Sequence, residues 1–217
     1  MRYLNNRIGR DMLVLLGHER ANQLRVGRRL EYFTLAWNLG EAAVAVGAGV
    51  FAGSIALIGF GADSLVESLS GGILLWRLQS HTDHESREPL ARKLVAISFF
   101  VLALYVAVDA GMTLLRHDAP ERSVVGIILA VVSIVVMPLL ARAKRRVATR
   151  LNSRALHADS RQTDICAYLS VILLIGLVLN AVLGWWWADP VAALAMVPII
   201  AKEGVEAFQG DKCDECV

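Results

Sequence analysis

The sequence predicts an all-α membrane protein: a bundle of six transmembrane helices with both chain ends on the cytoplasmic side. Three observations carry this expectation. Of the 217 residues, 56% are hydrophobic, above the roughly 45–50% of soluble domains, and the mean hydropathy is +0.51. The apolar residues fall into long runs, and a run of about 20 crosses hydrocarbon as a helix. Lys and Arg collect in alternate connections between the runs, as the positive-inside bias requires of an even number of crossings. The formal net charge of +2 says less than the placement of those charges.

Residues 1–30 form a basic arm in which Arg2, Arg7, Arg10, Arg20, Arg25, Arg28 and Arg29 interleave with Met12, Leu13, Leu16 and Leu24. The pattern reads as a short amphipathic helix on the membrane surface, with a solvated arm as the alternative. Nothing there resembles a cleaved signal peptide. Six apolar spans follow, at about 32–52, 55–76, 94–115, 124–141, 165–183 and 185–201, with boundaries good to a few residues. The fifth also admits a start near Ala158, with a polar first turn. Residues 31–205 are thus the membrane domain, and 206–217 a short cytoplasmic tail.

The charge bias is read loop by loop. The turn Gly53-Ser54 carries no Lys or Arg. The loop after the second span holds Arg77, Arg87, Arg92 and Lys93. The next has only Arg116 and Arg122, offset by Asp118 and Glu121. The loop after the fourth span has Arg142, Lys144, Arg145, Arg146, Arg150 and Arg154, and the turn between the last two spans has none. Small residues at Ala45, Gly49 and Gly53 share one face of the first span. That spacing lets a second helix approach closely, either within the chain or across a dimer.

The polar residues inside the spans carry the functional signal. Asp63 and Glu67 lie in the second span, four apart and therefore on one helix face, with Ser64 and Ser68 beside them. Each ionised carboxylate at bilayer depth costs about 2.5–3.5 kcal/mol, and two together repel. A visiting cation is the plainest compensation. The structural alternative is a pair satisfied by hydrogen bonds in helix packing. Around the start of the fifth span, Gln162 and Cys166 share a face, while Ser160 and Asp164 share another, with His157 near the second. Cys166 read alone is a small buried hydrophobe, and Asp164 can cap a polar helix start. Glu41, one turn from Asn38, and Asp109 are also ionisable at membrane depth. They are candidate proton relays or structural partners.

Two further groups carry metal-capable side chains. The loop containing His81, Asp83, His84 and Glu85 gathers possible zinc ligands, although short polar loops also do so by chance. Cys213 and Cys216 form a CxxC half-site that supplies two of the four ligands of a closed zinc site; a redox pair and an unstructured tail are the alternatives. Three cysteines are too few and too uneven for a disulfide framework. There is no HExxH, no GxSxG and no other paired nucleophile and base, so an enzyme is not expected.

On these residues the chain resembles the cation diffusion facilitator family over about residues 31–205. Asp63-Ser-Leu-Val-Glu67 resembles the acidic pair that the family carries on its second helix, with the second acid lengthened. The family's fifth-helix pattern, laid on Ala158-Asp159 without a gap, puts Gln162 where an imidazole stands and Cys166 where a carboxylate stands. Ala188-Asp189-Pro190 resembles the family's start of helix six and supports that register. The missing C-terminal cytoplasmic domain, with a CxxC tail in its place, makes the chain similar to a short divergent branch, the transmembrane-protein-163-like group.

The resemblance implies a divalent cation transporter, with metal held by Asp63, Glu67, Gln162 and Cys166; Asp164, His157, Cys213, Cys216, His81, Asp83 and His84 are secondary candidates. Zn2+ is the expected cargo because carboxylate plus thiolate suits it, while the altered helix-five pair also admits softer or other divalent ions. Exchange against protons, export from the cytoplasm across the plasma (inner) membrane, and a homodimer complete the expectation. The partners are metal cations, protons and the lipid bilayer, with no nucleic acid. The alternative is a membrane metal-binding or regulatory protein that does not transport.

Overall fold

Apolar backbone in hydrocarbon must pair its own N–H and C=O groups, which favours helices, and each predicted span is helical in the computed structural model. It describes residues 2–79 and 88–209. Among these the order is α1 (Arg2–Ala52), α2 (Ile55–Gln79), α3 (Glu88–Arg116), α4 (Val124–Leu151), α5 (Arg154–Leu183) and α6 (Ala188–Gln209), with no strand. The chain is an integral, multi-pass membrane protein.

Among the described residues, four helices are long and apolar enough to cross a membrane: Glu19–Ala52 within α1, Lys93–Arg116 within α3, α4, and Leu156–Leu183 within α5. The other two are more polar. Asp63, Glu67 and three serines interrupt α2, and Asp189, Lys202, Glu203 and Glu206 interrupt α6. Both are sheltered by protein, α2 by α1, α3, α5 and α6, and α6 by α3, α5 and α2.

The polarity of the bundle is inverted relative to a water-soluble one. Glu41, Asp63, Glu67 and Lys144 are buried, whereas Leu104, Val135 and Ile175 lie on the outside. Lipid accepts apolar side chains, and ionisable ones turn to the interior. The apolar core runs through Phe60, Phe99, Val106, Met137, Leu173 and Met196.

The helix expected over the basic arm is present but is not a separate element. It continues unbroken from Arg2 into the first span, and Gly27, which costs only about 1 kcal/mol inside a helix, does not interrupt it. The fourth and fifth helices also outrun their apolar spans. They meet in a two-residue turn where Asn152 adopts a left-handed conformation (φ 49°) and Ser153 caps α5 through the Leu156 N–H.

One end of the bundle gathers three connections. Glu121 N–H donates to Ala52 O (2.7 Å) and Asn180 Nδ2 to Pro120 O (3.0 Å). Ser54 Oγ donates to Asp189 Oδ1 (2.5 Å), while Ala56 N–H donates to Asp189 Oδ2 (3.3 Å). Asp189, read in sequence only as a mark of helix six, thus occupies the positive N-terminus of α2. It couples the starts of α2 and α6.

The small-residue stripe of α1 is used within the chain. A Cβ placed on Gly61 would stand 2.9 Å from Ala45 Cβ and 3.0 Å from the Val46 backbone nitrogen; one on Gly49 would stand 2.7 Å from the Ile58 side chain and 2.9 Å from its nitrogen. Gly53 instead makes the turn, with φ at +64°. Gly61→Val is therefore expected to prise α1 from α2 and destabilise the fold by about 1–3 kcal/mol, the usual cost of overpacking. The detergent-solubilised variant should lose its monodisperse size-exclusion peak at a lower temperature than wild type. An unchanged midpoint would show that the two helices do not meet there.

Candidate functional site

Rotation of α2 sets the site. Leu65 and Leu69 are exposed, while Asp63, Ser64, Glu67 and Ser68 are buried on the opposite face. Ser64 and Ser68 bond partly to their own helix, at Phe60 O (3.2 Å) and Ser64 O (2.8 Å). Asp63 stands under the influence of Glu67, Glu203 and Glu41, with no hydrogen bond among the described residues.

Three other helices supply what faces α2. From α1, Glu41 accepts from Ser64 Oγ (2.9 Å) and, through its other oxygen, from Ser133 Oγ of α4. From α5, Thr163 Oγ1 lies 3.2 Å from Glu67 Oε1, and the buried, free Cys166 thiol lies 3.9 Å from Glu41 Oε2. Cys166 is within electrostatic reach of Glu41, Glu67 and Asp63. Glu67 Oε2 and both amide atoms of Asn38 are buried without a hydrogen-bond partner. Most buried polar atoms are paired, so acceptor capacity is left over here. Two carboxylates and a thiol supply oxygen and sulfur donors of the kind that bind divalent transition metals. In this conformation, no three His, Cys, Asp or Glu side chains among the described residues stand close enough to hold a metal ion.

The other expected residues are distributed as follows. Gln162 is half-buried on α5 and makes no hydrogen bond to Asp63 or Glu67. Asp164 turns away from α2 and pairs with Arg145 of α4. His157 Nε2 is 3.4 Å from Thr149 Oγ1, also on α4. Asp109 is half-buried and interacts with Tyr105, one turn earlier on α3. It is absent from the charges acting on Asp63, Glu67 and Cys166. His81, Asp83, His84, Cys213 and Cys216 lie outside the described residues.

Several residues at the site went unread in the sequence. Thr163 and Ser133 are hydroxyls in helices, where such side chains commonly bond to their own backbone and give no pattern. Lys144 lies in a basic run that was counted only as loop charge, yet it is fully buried. Its ammonium is 2.5 Å from Asp159 Oδ2, 3.2 Å from Glu31 Oε2 and 3.5 Å from Thr163 Oγ1. A signal existed: Lys144 continues the buried stripe Met137, Leu140, Ala141, Val147 and Ala148 at helical spacing.

Comparison with known proteins gives a consistent match. Residues 32–209 match the cation efflux transmembrane domain model. The chain is 28% identical over 181 residues to an uncharacterized transporter of Synechocystis sp., covering 79% of this chain and 58% of that one. It is 32% identical over 117 residues to the magnetosome protein MamB of Magnetospira sp., covering 54% and 40%. An uncharacterized transporter of Methanocaldococcus jannaschii is 28% identical over 158 residues, covering 69% and 56%. The chain thus spans only part of the length of each of these relatives.

Proposed function

Because the chain belongs to the cation efflux transmembrane-domain family, we propose that it carries a divalent metal cation, zinc foremost, across the membrane between α2 and α5. One observation carries the reading: Asp63 and Glu67 are buried on the inward face of α2, with Glu67 Oε2 left unpartnered. Asp63 and Glu67 hold the ion, Cys166 adds a thiolate and Gln162 an oxygen. These groups close around it as the helices move.

Ligands must lose protons to bind a metal, so binding and proton release are linked. Glu41 is bonded to Ser64, next in sequence to Asp63, and lies beside Cys166. In this reading it takes a proton from either ligand, in preference to Asp109 on α3. By the positive-inside bias the Lys/Arg-rich end faces the cytoplasm. The reading is completed by export across the plasma (inner) membrane against protons, by a homodimer.

The test is reconstitution of the full chain into liposomes containing a fluorescent zinc indicator. Zinc flux above that of protein-free liposomes, driven by a pH gradient and abolished by its collapse, is expected. Zinc binding without flux would point to a membrane metal-binding or regulatory protein, and neither binding nor flux would overturn both readings. In the same assay Cys166→Ser replaces a soft donor by a hard one and should shift preference from zinc towards manganese. An unchanged zinc-to-manganese ratio would leave Cys166 as packing alone.

A further inference from the structure

The transport reading leaves Lys144 unused. Arg142, Arg145, Arg146 and Arg150 of the same basic run are exposed, and among its described side chains Lys144 alone is turned inward and fully buried. Lysine is almost never buried this way without partners. A buried ion pair is also weak evidence for stability, because apolar replacements of similar volume are often neutral or stabilising. Its placement suggests another use.

Two carboxylates, Glu31 of α1 and Asp159 of α5, face this single ammonium, and Glu31 Oε1 is buried without a partner. Thr163 Oγ1 lies 3.5 Å from Lys144 Nζ and 3.2 Å from Glu67 Oε1. One polar chain thus runs from α1 and α4 through α5 to the acidic pair of α2. Lys144 is thus within electrostatic reach of Glu67.

We propose that Lys144 is a tethered counter-ion of the cation site: its ammonium neutralises the acids at the inner end of the pathway when no metal is bound, and opposes a divalent cation held at Glu67. This rests on the transport reading and adds a specific role to it. Without a fixed cation, Glu31, Asp159 and Glu67 would present three negative charges in a low-dielectric interior. Such a site would take a metal ion and hold it. Conduction needs binding that is favourable enough to enter and weak enough to leave. A lysine on a flexible stem supplies the opposing charge without itself being carried across.

The proposal is tested on the purified full chain by equilibrium zinc binding at alkaline pH, in competition with a chromophoric chelator, alongside liposome flux. Lys144→Met keeps the apolar stem and removes the charge. It should bind zinc at least about tenfold more tightly and release it more slowly, since a unit charge in the protein interior acts on a dication with several-kT strength. Damage to packing would weaken binding, so tightening separates the electrostatic role from a structural one. Glu31→Gln removes one negative charge from the same cluster and keeps a polar partner for Lys144; it should weaken binding severalfold. If Lys144→Met does not fold, Glu31→Gln carries the test alone. A folded Lys144→Met that binds no tighter, or a Glu31→Gln with wild-type affinity, overturns the proposal. A wild type that binds no divalent cation overturns the transport reading instead.

Discussion

Asp63→Ala is expected to abolish zinc uptake by reconstituted liposomes, by at least about a hundredfold, since losing even an outer partner of a metal ligand costs about 10–100-fold in metal affinity or activity, while the protein still inserts and folds. The two halves of this expectation have different physical origins. Asp63 is buried, it feels the acids Glu67, Glu203 and Glu41, and it makes no hydrogen bond among the described residues. Its removal therefore orphans no described donor and relieves like-charge repulsion, so the fold should tolerate it. A metal ion, by contrast, would lose one of the two acids that α2 turns inward. Glu67→Ala should fail in the same assay but with more collateral damage, because Thr163 bonds to Glu67. The measurement is zinc uptake normalised to protein incorporated, with circular dichroism and size-exclusion behaviour as the folding control. Uptake at the wild-type rate would remove α2 from the ion's path.

The contrast between α2 and α5 shows how far the sequence could be read. Asp63 and Glu67 are conspicuous because two acids in an apolar run are a local anomaly, visible without knowing what packs against them. Their common face follows from helical spacing alone. On α5 spacing defines pairs but not which pair turns inward. That azimuth is set by packing against α4, which the sequence does not state. The structure turns Thr163 and Cys166 towards α1 and α2, and Asp164 towards Arg145. Cys166 was among the expected residues and Thr163 was not, because its hydroxyl also bonds to Asp159 O in its own helix and disturbs no pattern. The spans were legible for the same reason as the acids: long apolar runs are local. The continuity of α1 was not, since a basic arm with scattered leucines is compatible with several conformations. Lys144 was missed because a charge count treats all members of a basic run alike, and only the buried stripe of α4 distinguishes one of them.

Asp159 and Asp164 allow this distinction to be measured. They are five residues apart on α5, both acidic and both paired with a cation from α4. Asp159 meets Lys144 with side-chain exposures of 7% and 0%, and Asp164 meets Arg145 with exposures of 32% and 47%. Removing one partner of a buried pair strands the other, at a cost of about 3–5 kcal/mol. Removing one partner of an exposed pair costs less than about 1 kcal/mol, because solvent screens the charge left behind. Asp159→Ala should therefore lower the thermal midpoint of the detergent-solubilised protein far more than Asp164→Ala. Glu31 remains beside Lys144 in the first variant, so the loss should fall towards the lower end of that range, and Glu31→Ala combined with Asp159→Ala should exceed it. Equal midpoints for the two single variants would mean that water reaches Lys144 as freely as it reaches Arg145. In that case the ammonium would be screened before its field reached Glu67, and a tethered counter-ion at this position would have nothing to act through.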